Sequence, residues 1–251
     1  MRPRVSIVIP VYQEGEQIEA CLDRIVEAVQ IPHEIVVVYD DEADSTVPYI
    51  EKYARRHPSV RGMLNDLGRG PALAIRSGIE AANAPVAVVT MADGCDDAMQ
   101  IEALTHLVER GVVVAAASRF ARSGQQVGGP VIKGLLSRLA GLTLYWFARV
   151  GTRDATNSFK AYSTSFVGRV GIESDQGFEI GIELVAKARR ARLPVAEIPT
   201  IWLDRSFGVS NFKLAAWLGR YLHWYFYSFG PKRPLEGFAV GPLSFDHKGH
   251  S

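Results

Sequence analysis

The sequence predicts an α/β protein built on a mainly parallel, doubly wound sheet, and three short apolar runs carry this prediction. The runs are VSIVIP (5–10), EIVVVY (34–39) and VAVVTM (86–91), and each ends in acidic or turn-forming residues. Short, mostly β-branched runs without polar alternation are typical of strands covered on both faces. The stretches between them have the length of crossover helices, which favours parallel strands. The carboxyl ends of such strands share one edge, where open α/β sheets bind ligands.

Strands and helices alternate through the first half of the chain, and breaker sequences such as Asn83-Ala84-Pro85 separate them. Strands are predicted at 5–10, 34–39, 60–64, 86–91 and 112–117, and helices at 16–29, 46–56, 71–82 and 98–110. The regularity is lost after Ser118. The rest is predicted as a flexible loop (124–130), an apolar helix (133–149), an apolar run with turns (to 170), a helix (177–191), a strand (195–202) and a long helix (212–229).

Composition limits the function classes. The 251 residues are 47% hydrophobic and 22% charged, enough for one large domain, and a net charge of +1 gives no long-range attraction for nucleic acid. Two cysteines, Cys21 and Cys95, are too few for a disulfide framework or a thiolate metal site and indicate a reducing compartment. The chain begins with a strand and has no uncharged apolar window of about 18 residues, so we expect it in solution or on a surface.

Acids that follow different strands are expected to meet at one edge of the sheet. Asp40 and Asp41 follow the second strand, and Asp93, Asp96 and Asp97 follow the run at 86–91. Carboxylates in one cleft repel one another unless a cation lies among them, and oxygen ligands suit Mg²⁺ or Mn²⁺ together with ligand phosphates. The acids at this edge are therefore candidates for a divalent-cation site. Asp96 and Asp97 equally suit the start of the next helix as capping residues.

Four segments occur in an informative order: VSIVIPVYQE (5–14), VYDD (38–41), GRG (68–70) and AD (92–93). Together they resemble the nucleotide-binding half of family 2 glycosyltransferases of the GT-A fold, most closely polyprenyl-phosphate sugar transferases of the dolichyl-phosphate mannose synthase type. The resemblance covers roughly residues 4 to 215. It implies a single catalytic domain over 1–230, with a nucleotide-binding half (1–118) and an acceptor-binding half (119–230), followed by a flexible tail (231–251). It also implies a metal cofactor, Mg or Mn, with Asp93 as ligand and Asp96 completing the coordination shell.

The resemblance implies an inverting transfer of a sugar from a nucleoside-diphosphate sugar, with Asp93 and Arg205 as catalytic residues that stabilise the departing diphosphate. Carboxylates would accept hydrogen bonds from ribose and base, and a basic residue between glycines would approach the diphosphate. The implied donor-binding residues are Pro10, Tyr12, Glu14, Asp40, Asp41, Gly68, Arg69, Gly70, Asp93 and Asp154. The chain departs from the family pattern at Gln13, where Asn is usual, and at Met91, where the family has the first Asp of its metal motif.

The implied acceptor is a polyprenyl phosphate, whose phosphate would be bound by Arg119, Lys133 and Ser137. Two apolar helices, 133–149 and 212–229, accompany these residues. In the second helix Leu214, Leu218, Tyr221, Leu222, Tyr225 and Phe229 share one face, opposite Lys213, Arg220 and His223. This pattern suits a helix lying in a membrane interface and equally a helix docked on the domain. We expect a cytoplasmic protein that contacts the inner face of the membrane.

Two alternatives stay open at this point. A transferase with the same donor site could act on a soluble or cell-envelope glycan. Met91 and Lys133, which depart from the family pattern, also allow a nucleotide-binding pseudoenzyme that transfers nothing.

Overall fold

The structure is a computed structural model that describes residues 2–204 and 214–238, without the side chains of residues 132, 133 and 214–216. The described elements are, in chain order, β1 (Val5–Val11), α1 (Gln17–Ala28), β2 (His33–Tyr39), α2 (Val47–Ala54), β3 (Val60–Leu64), α3 (Pro71–Glu80), β4 (Val86–Val89), α4 (Ile101–Glu109), β5 (Val114–Ser118), β6 (Gln125–Val127), α5 (Val131–Thr143), β7 (Lys160–Ser163), α6 (Thr164–Val170), α7 (Ile180–Arg190), β8 (Val195–Pro199), β9 (Ile201–Leu203) and α8 (Leu214–Tyr227). Short 3₁₀ turns precede α4 (Ala98–Gln100) and follow α8 (Leu235–Gly237), and a π-helical turn (Leu144–Ala148) continues α5.

The central sheet has seven strands in the order β3-β2-β1-β4-β7-β5-β8, and it confirms the predicted mainly parallel, doubly wound architecture. The sequence analysis missed β7, which lies antiparallel between β4 and β5, with Val88 and Ala115 both opposite Ala161. All other neighbouring pairs in this sheet are parallel. The carboxyl ends of β1, β2, β4 and β5 therefore share one edge, which we call the donor edge.

Both faces of the sheet are covered, as the unbroken apolar runs predict. Side chains alternate along β1, so that Ile7 and Ile9 pack on the side of α1, α2 and α4, whereas Val8 packs with α3, α6, α7 and α8. Each of these three strand residues is fully buried. The domain is thus a three-layer arrangement with one core on each side of the sheet.

A second, two-stranded sheet pairs β6 with β9 in parallel. The segment 124–130 was predicted to be a flexible loop, and this was wrong because β6 pairs with a strand about 75 residues further along the chain. The strand predicted at 195–202 is divided into β8 and β9. At the division the Thr200 amide donates to the Ser118 carbonyl at 3.0 Å, and the Thr200 carbonyl accepts from the Gln125 amide at 2.9 Å.

Helices α5 and α8 contact each other where Tyr225 Oη donates to Thr143 Oγ1 at 3.0 Å. The segment after α8 also packs on the domain, because the Arg233 amide donates to the Arg190 carbonyl at 2.9 Å and Phe238 is buried. Residues 231–238 of the predicted flexible tail thus include contacts with the domain, and 239–251 lie outside the described residues. Among the described helices, none has both the length and the apolar character that crossing a bilayer requires.

Candidate functional site

The first loop of the donor edge follows β1 and contains Tyr12 and Glu14. The Gln13 amide donates to the buried carboxylate of Asp44 at 2.9 Å, and the Glu14 amide donates to Thr46 Oγ1 at 3.0 Å. Gln13 has a φ of 57°, in the left-handed region where Asn is less strained than Gln. The loop is thereby fixed to the segment after β2, and Tyr12 remains 60% exposed at the edge.

The second loop contains the acid pair, and its two members have different surroundings. Asp40 accepts hydrogen bonds from the Gly70 amide at 2.7 Å and from Asn65 Nδ2 at 2.8 Å. Asn65 is buried and also donates to the Gly68 carbonyl. Asp40 therefore holds the glycine turn in place. Asp41 is exposed and pairs with Arg69 Nη2 at 2.7 Å, so the basic residue of the turn is accessible to a ligand.

Gly70 precedes α3 and permits a backbone that other residues rarely adopt. Its φ is 122°, and a Cβ added there would lie 3.1 Å from the Gln176 carbonyl oxygen. Pro71 then occupies the first turn of α3, where its missing N–H removes no helical hydrogen bond. The turn from Gly68 to Gly70 therefore has the backbone freedom that the sequence analysis assigned to it.

The third loop follows β4 and brings Asp93 and Asp96 together. Asp93 Oδ1 accepts from the Cys95 amide at 3.1 Å, whereas Asp96 Oδ2 accepts from Thr90 Oγ1 at 2.9 Å and from the Met91 amide at 3.2 Å. Burial and then the negative charge of Asp93 raise the pKa of Asp96 to about 7, against the hydrogen bonds from Thr90 and Met91. Asp97 accepts from the Met99 amide at 3.0 Å and acts as a helix cap, as its alternative interpretation predicts.

The Asp93–Asp96 pair fits a divalent cation that is also held by a ligand. The pKa of Asp96 is raised first by burial and then by repulsion from the Asp93 carboxylate, and a cation would relieve that repulsion. Within the described ranges no group of three His, Cys, Asp or Glu side chains could hold a metal ion. Mg²⁺ and Mn²⁺ accept one or two protein carboxylates when phosphate oxygens and water complete the shell. Asp93 and Asp96 would therefore hold the metal only together with a diphosphate.

The structure gives Asp154 a different position from the expected contact with sugar hydroxyls. Asp154 has no exposed surface, and its carboxylate accepts from Arg119 Nε at 2.8 Å, from Arg119 Nη2 at 2.9 Å and from the Arg119 amide at 3.0 Å. Burial would raise the pKa of Asp154, but the charge and hydrogen bonds of Arg119 keep this pKa below its ordinary value. Asp154 therefore positions Arg119 at the end of β5 instead of binding the sugar. The side chain of Arg119 is itself only slightly exposed.

Lys160 lies fully buried beneath the same region, and the sequence analysis assigned it no role. Its Nζ donates to the carbonyl oxygens of Ala155, at 3.2 Å, and of Asn157. Burial lowers the pKa of Lys160 to about 7, although the charge of Asp154 opposes the shift. Within residues 154–162, Asp154 therefore binds Arg119 directly, and Lys160 holds the backbone that follows Asp154.

Of the predicted acceptor residues, Arg119 follows β5, and Lys133 and Ser137 lie on α5. The Leu203 amide in β9 donates to the Cys95 carbonyl at 3.4 Å, and β9 pairs with β6, which precedes α5. Ser137 is half-buried on α5. The side chain of Lys133 is not described, and Arg205 lies outside the described residues.

Pro10, Tyr12, Glu14, Asp40, Asp41, Gly68, Arg69, Gly70, Asp93 and Asp96 all lie in the loops of one edge or at the strand ends that lead to them. The sequence analysis missed Asn65, Lys160 and the role of Asp44 in holding the first loop. Asn65 and Asp44 act through hydrogen bonds to residues 25 and 31 positions away in the chain, which the sequence does not reveal. Lys160 donates to nearby carbonyls, and only the fold shows that it is fully buried.

An open α/β sheet with a glycine-flanked basic turn and an acidic loop at its carboxyl edge has the architecture of the GT-A fold. A mannosyltransferase from Pyrobaculum calidifontis, solved in complex with GDP-Man and Mn²⁺, superimposes with a TM-score of 0.62 at 21% identity, covering 94% of this chain and 67% of that chain. The glycosyl transferase family 2 model matches residues 6–171. The chain belongs to glycosyl transferase family 2.

Two curated relatives are similar over most of this chain. A dolichol-phosphate mannosyltransferase from Pyrococcus furiosus is 28% identical over 218 residues, covering 84% of this chain and 59% of the relative. A polyprenol monophosphomannose synthase from Mycolicibacterium smegmatis is 26% identical over 230 residues, covering 85% of this chain and 86% of the relative. The chain therefore spans less than two thirds of the first relative and most of the second.

Proposed function

We propose that this glycosyltransferase moves a sugar from a nucleoside-diphosphate sugar to a polyprenyl phosphate at a membrane surface, with inversion at the anomeric carbon. The observation that carries the proposal is a set of exposed apolar side chains on α5 and α8, which we call the exposed apolar surface. It consists of Leu135, Leu139 and Phe147 on α5 and its π-helical turn, and of Leu218, Leu222 and Phe226 on α8. Exposed apolar patches of this kind mark sites of contact with a partner or a membrane.

The donor would lie across the loops that follow β1, β2 and β4. Tyr12 would contact the base, Asp40 and Asp41 the nucleoside, and Arg69 the diphosphate. The divalent ion would supply positive charge to the diphosphate through Asp93 and Asp96. The names of the relatives, which refer to mannose, make GDP-mannose the first donor to test.

The reaction needs no general base, because the acceptor phosphate is already an anion at neutral pH. One of its oxygens would form a bond to the anomeric carbon while the bond from that carbon to the diphosphate oxygen breaks, and the electron pair leaves with the nucleoside diphosphate. The protein then contributes alignment of two anions and stabilisation of the leaving group. Arg69 and Arg205 are proposed to stabilise the leaving group, and Arg119, Lys133 and Ser137 to bind the acceptor.

A transfer assay with the lipid acceptor tests the proposal. The wild type is incubated with GDP-mannose or UDP-glucose, Mn²⁺ and polyprenyl phosphate in vesicles, and the lipid-linked sugar is detected by mass spectrometry. Product is expected with Mn²⁺ and is expected to be lost with EDTA and in Asp93→Ala. Cys95→Ala is the matched control, because it keeps the backbone amide that donates to the Asp93 carboxylate and removes only the 4.0 Å contact of the thiol with the Asp93 carbonyl. Product on a soluble glycan alone, or on no acceptor, would contradict the proposal.

A further inference from the structure

A basic groove lies at the far end of the domain from the donor edge. It has a volume of about 600 Å³, and its basic lining residues are Arg149, Arg189, Arg192 and Lys232. The groove lies beside the end of α7 and the first residue of β8, Val195. Because β8 runs parallel to β5, this is the amino edge of the sheet. The groove is therefore separate from the donor site.

The lining of the groove is electrostatically unbalanced. No acidic residue lines it, and within the described part of the chain Arg149, Arg192 and Lys232 form no ion pair. All three are exposed. Arg189 is held in the wall by hydrogen bonds to the carbonyls of Ala148, at 2.9 Å, and Gly230, at 2.5 Å. Such a concentration of positive charge on a protein of net charge +1 is complementary to an anionic ligand.

The groove adjoins exposed aromatic side chains. Trp146 and Phe147 in the π-helical turn are 66% and 74% exposed, and Phe147 also lines the groove. The exposed apolar surface defined above follows α5 to this point. An apolar surface that ends in aromatic residues and unpaired cations combines the two attractions, burial of apolar area and contact with anionic lipid, that hold proteins at a membrane interface.

We infer that the groove binds the phosphate headgroups of anionic phospholipids and so fixes the orientation of the domain on a bilayer. Trp146 and Phe147 enter the interface beside the bound headgroups. With the apolar surface against the membrane, contact at the groove and contact along that surface hold α5 and α8 along the plane of the bilayer. The inference rests on the proposed transfer to a membrane lipid, and it adds a second lipid contact that takes no part in the reaction.

Vesicle co-sedimentation tests the inference with the full chain. The probes are vesicles of phosphatidylcholine alone and of phosphatidylcholine with phosphatidylglycerol. The groove variant is Arg149→Gln, Arg192→Gln and Lys232→Gln, and the control, with the same net charge, is Arg2→Gln, Arg55→Gln and Arg110→Gln, which are exposed and do not line the groove. Each basic residue near an anionic surface contributes about a five-fold factor in partitioning, so the groove variant is expected to bind the anionic vesicles about 100-fold less tightly.

The expected result is that wild type and control bind better with phosphatidylglycerol and lose that gain at high salt, whereas the groove variant shows no gain. Equal gains in all three proteins would overturn the inference. The inference would also be overturned if inorganic phosphate stabilised the wild type but not the groove variant in a thermal-shift assay while vesicle binding showed no preference for phosphatidylglycerol. The groove would then bind a soluble anion. Transfer to a short-chain polyprenyl phosphate in detergent is expected to be equal in all three proteins. No transfer by the wild type in that assay would contradict the proposed function and not the groove.

Discussion

Asp154→Asn is predicted to destabilise the protein strongly, because it removes the carboxylate that pairs with Arg119. The carboxylate has no exposed surface and accepts two hydrogen bonds from the guanidinium, at 2.8 and 2.9 Å, and one from the Arg119 amide. Removing one partner of a buried ion pair costs about 3–5 kcal/mol, because the other charge stays buried without compensation. For a domain of this size this corresponds to a fall in Tm of roughly 6–20 °C.

The matched control is Asp41→Asn, which removes the carboxylate of an exposed pair with Arg69. That pair has a similar distance, 2.7 Å, but side chains that are 49% and 77% exposed, so its loss is expected to cost about 0–1 kcal/mol. Urea titration of the three proteins measures the free energies of unfolding. Equal effects of the two substitutions would refute the conclusion that burial of Asp154 decides the difference.

The same pair predicts a dependence on pH. The pKa of Asp154 in the folded protein lies below its ordinary value, despite burial, because of the charge and hydrogen bonds of Arg119. The stabilisation is therefore complete above the unfolded pKa of about 3.9 and is lost as the pH falls through the folded value. The stability difference between wild type and Asp154→Asn is expected to persist at pH 5 and to shrink in stronger acid. A difference that shrinks already near neutral pH would contradict this assignment.

Three further predictions concern the glycine turn, α8 and the buried lysine. Gly70→Ala and Gly111→Ala both place a side chain at positive φ, 122° and 102°, and each is expected to cost about 1–3 kcal/mol of stability. Only Gly70→Ala is expected to weaken donor binding, by ten-fold or more in calorimetry. Phe226→Ser, at an exposed position, is expected to lower vesicle binding with little loss of stability. Trp224→Ala, at a site 4% exposed, is expected to cost about 3–5 kcal/mol of stability. Similar stability losses in the two variants would contradict the orientation of α8. Burial lowers the pKa of Lys160 to about 7, so the unfolded chain binds more protons than the folded chain between pH 7 and 10. The stability of the wild type is therefore expected to rise over this range by up to about 1.4 kcal/mol per pH unit. Lys160→Met is expected to remove this rise.

The strands and helices of the first half could be predicted from the sequence because their signals are local. Residues 5–9, 35–38 and 86–89 of the apolar runs are at most 1% exposed, and the strands alternate with helices at the expected positions. β7 and the pairing of β6 with β9 were not predicted, because both depend on partners that are distant in the chain. The four-residue segment KAYS (160–163) carries no alternation that identifies a strand, and its place between β4 and β5 is set by the sheet.

The orientation of α8 shows the limit of helical periodicity. Leu222 and Tyr225 were expected to share a face with Tyr221, but Leu222 is exposed, whereas Trp224 is buried on α7, with its ring 5.3 Å from Lys187 Nζ. Apolar residues occupy most of the circumference of this helix, so periodicity alone does not select the buried side.

In the candidate site the loop residues could be predicted because motifs identify them, but their pairings could not. Asp154 and Arg119 are 35 residues apart in the chain, and only the fold shows that the Asp154 carboxylate neutralises the Arg119 guanidinium. Asp40 and Asp41 are adjacent in the chain, and the sequence does not reveal that Asp40 holds the turn while Asp41 remains exposed.

Asp93 is proposed to hold a nucleoside diphosphate through a divalent ion, and calorimetric titration of GDP and UDP with and without Mn²⁺ measures this binding. Wild type and Cys95→Ala are expected to bind at least one of the two diphosphates ten-fold or more tightly when Mn²⁺ is present, and Asp93→Ala is expected to show no such gain. Binding that is equally tight without the metal, or a gain that survives in Asp93→Ala, would contradict the claim.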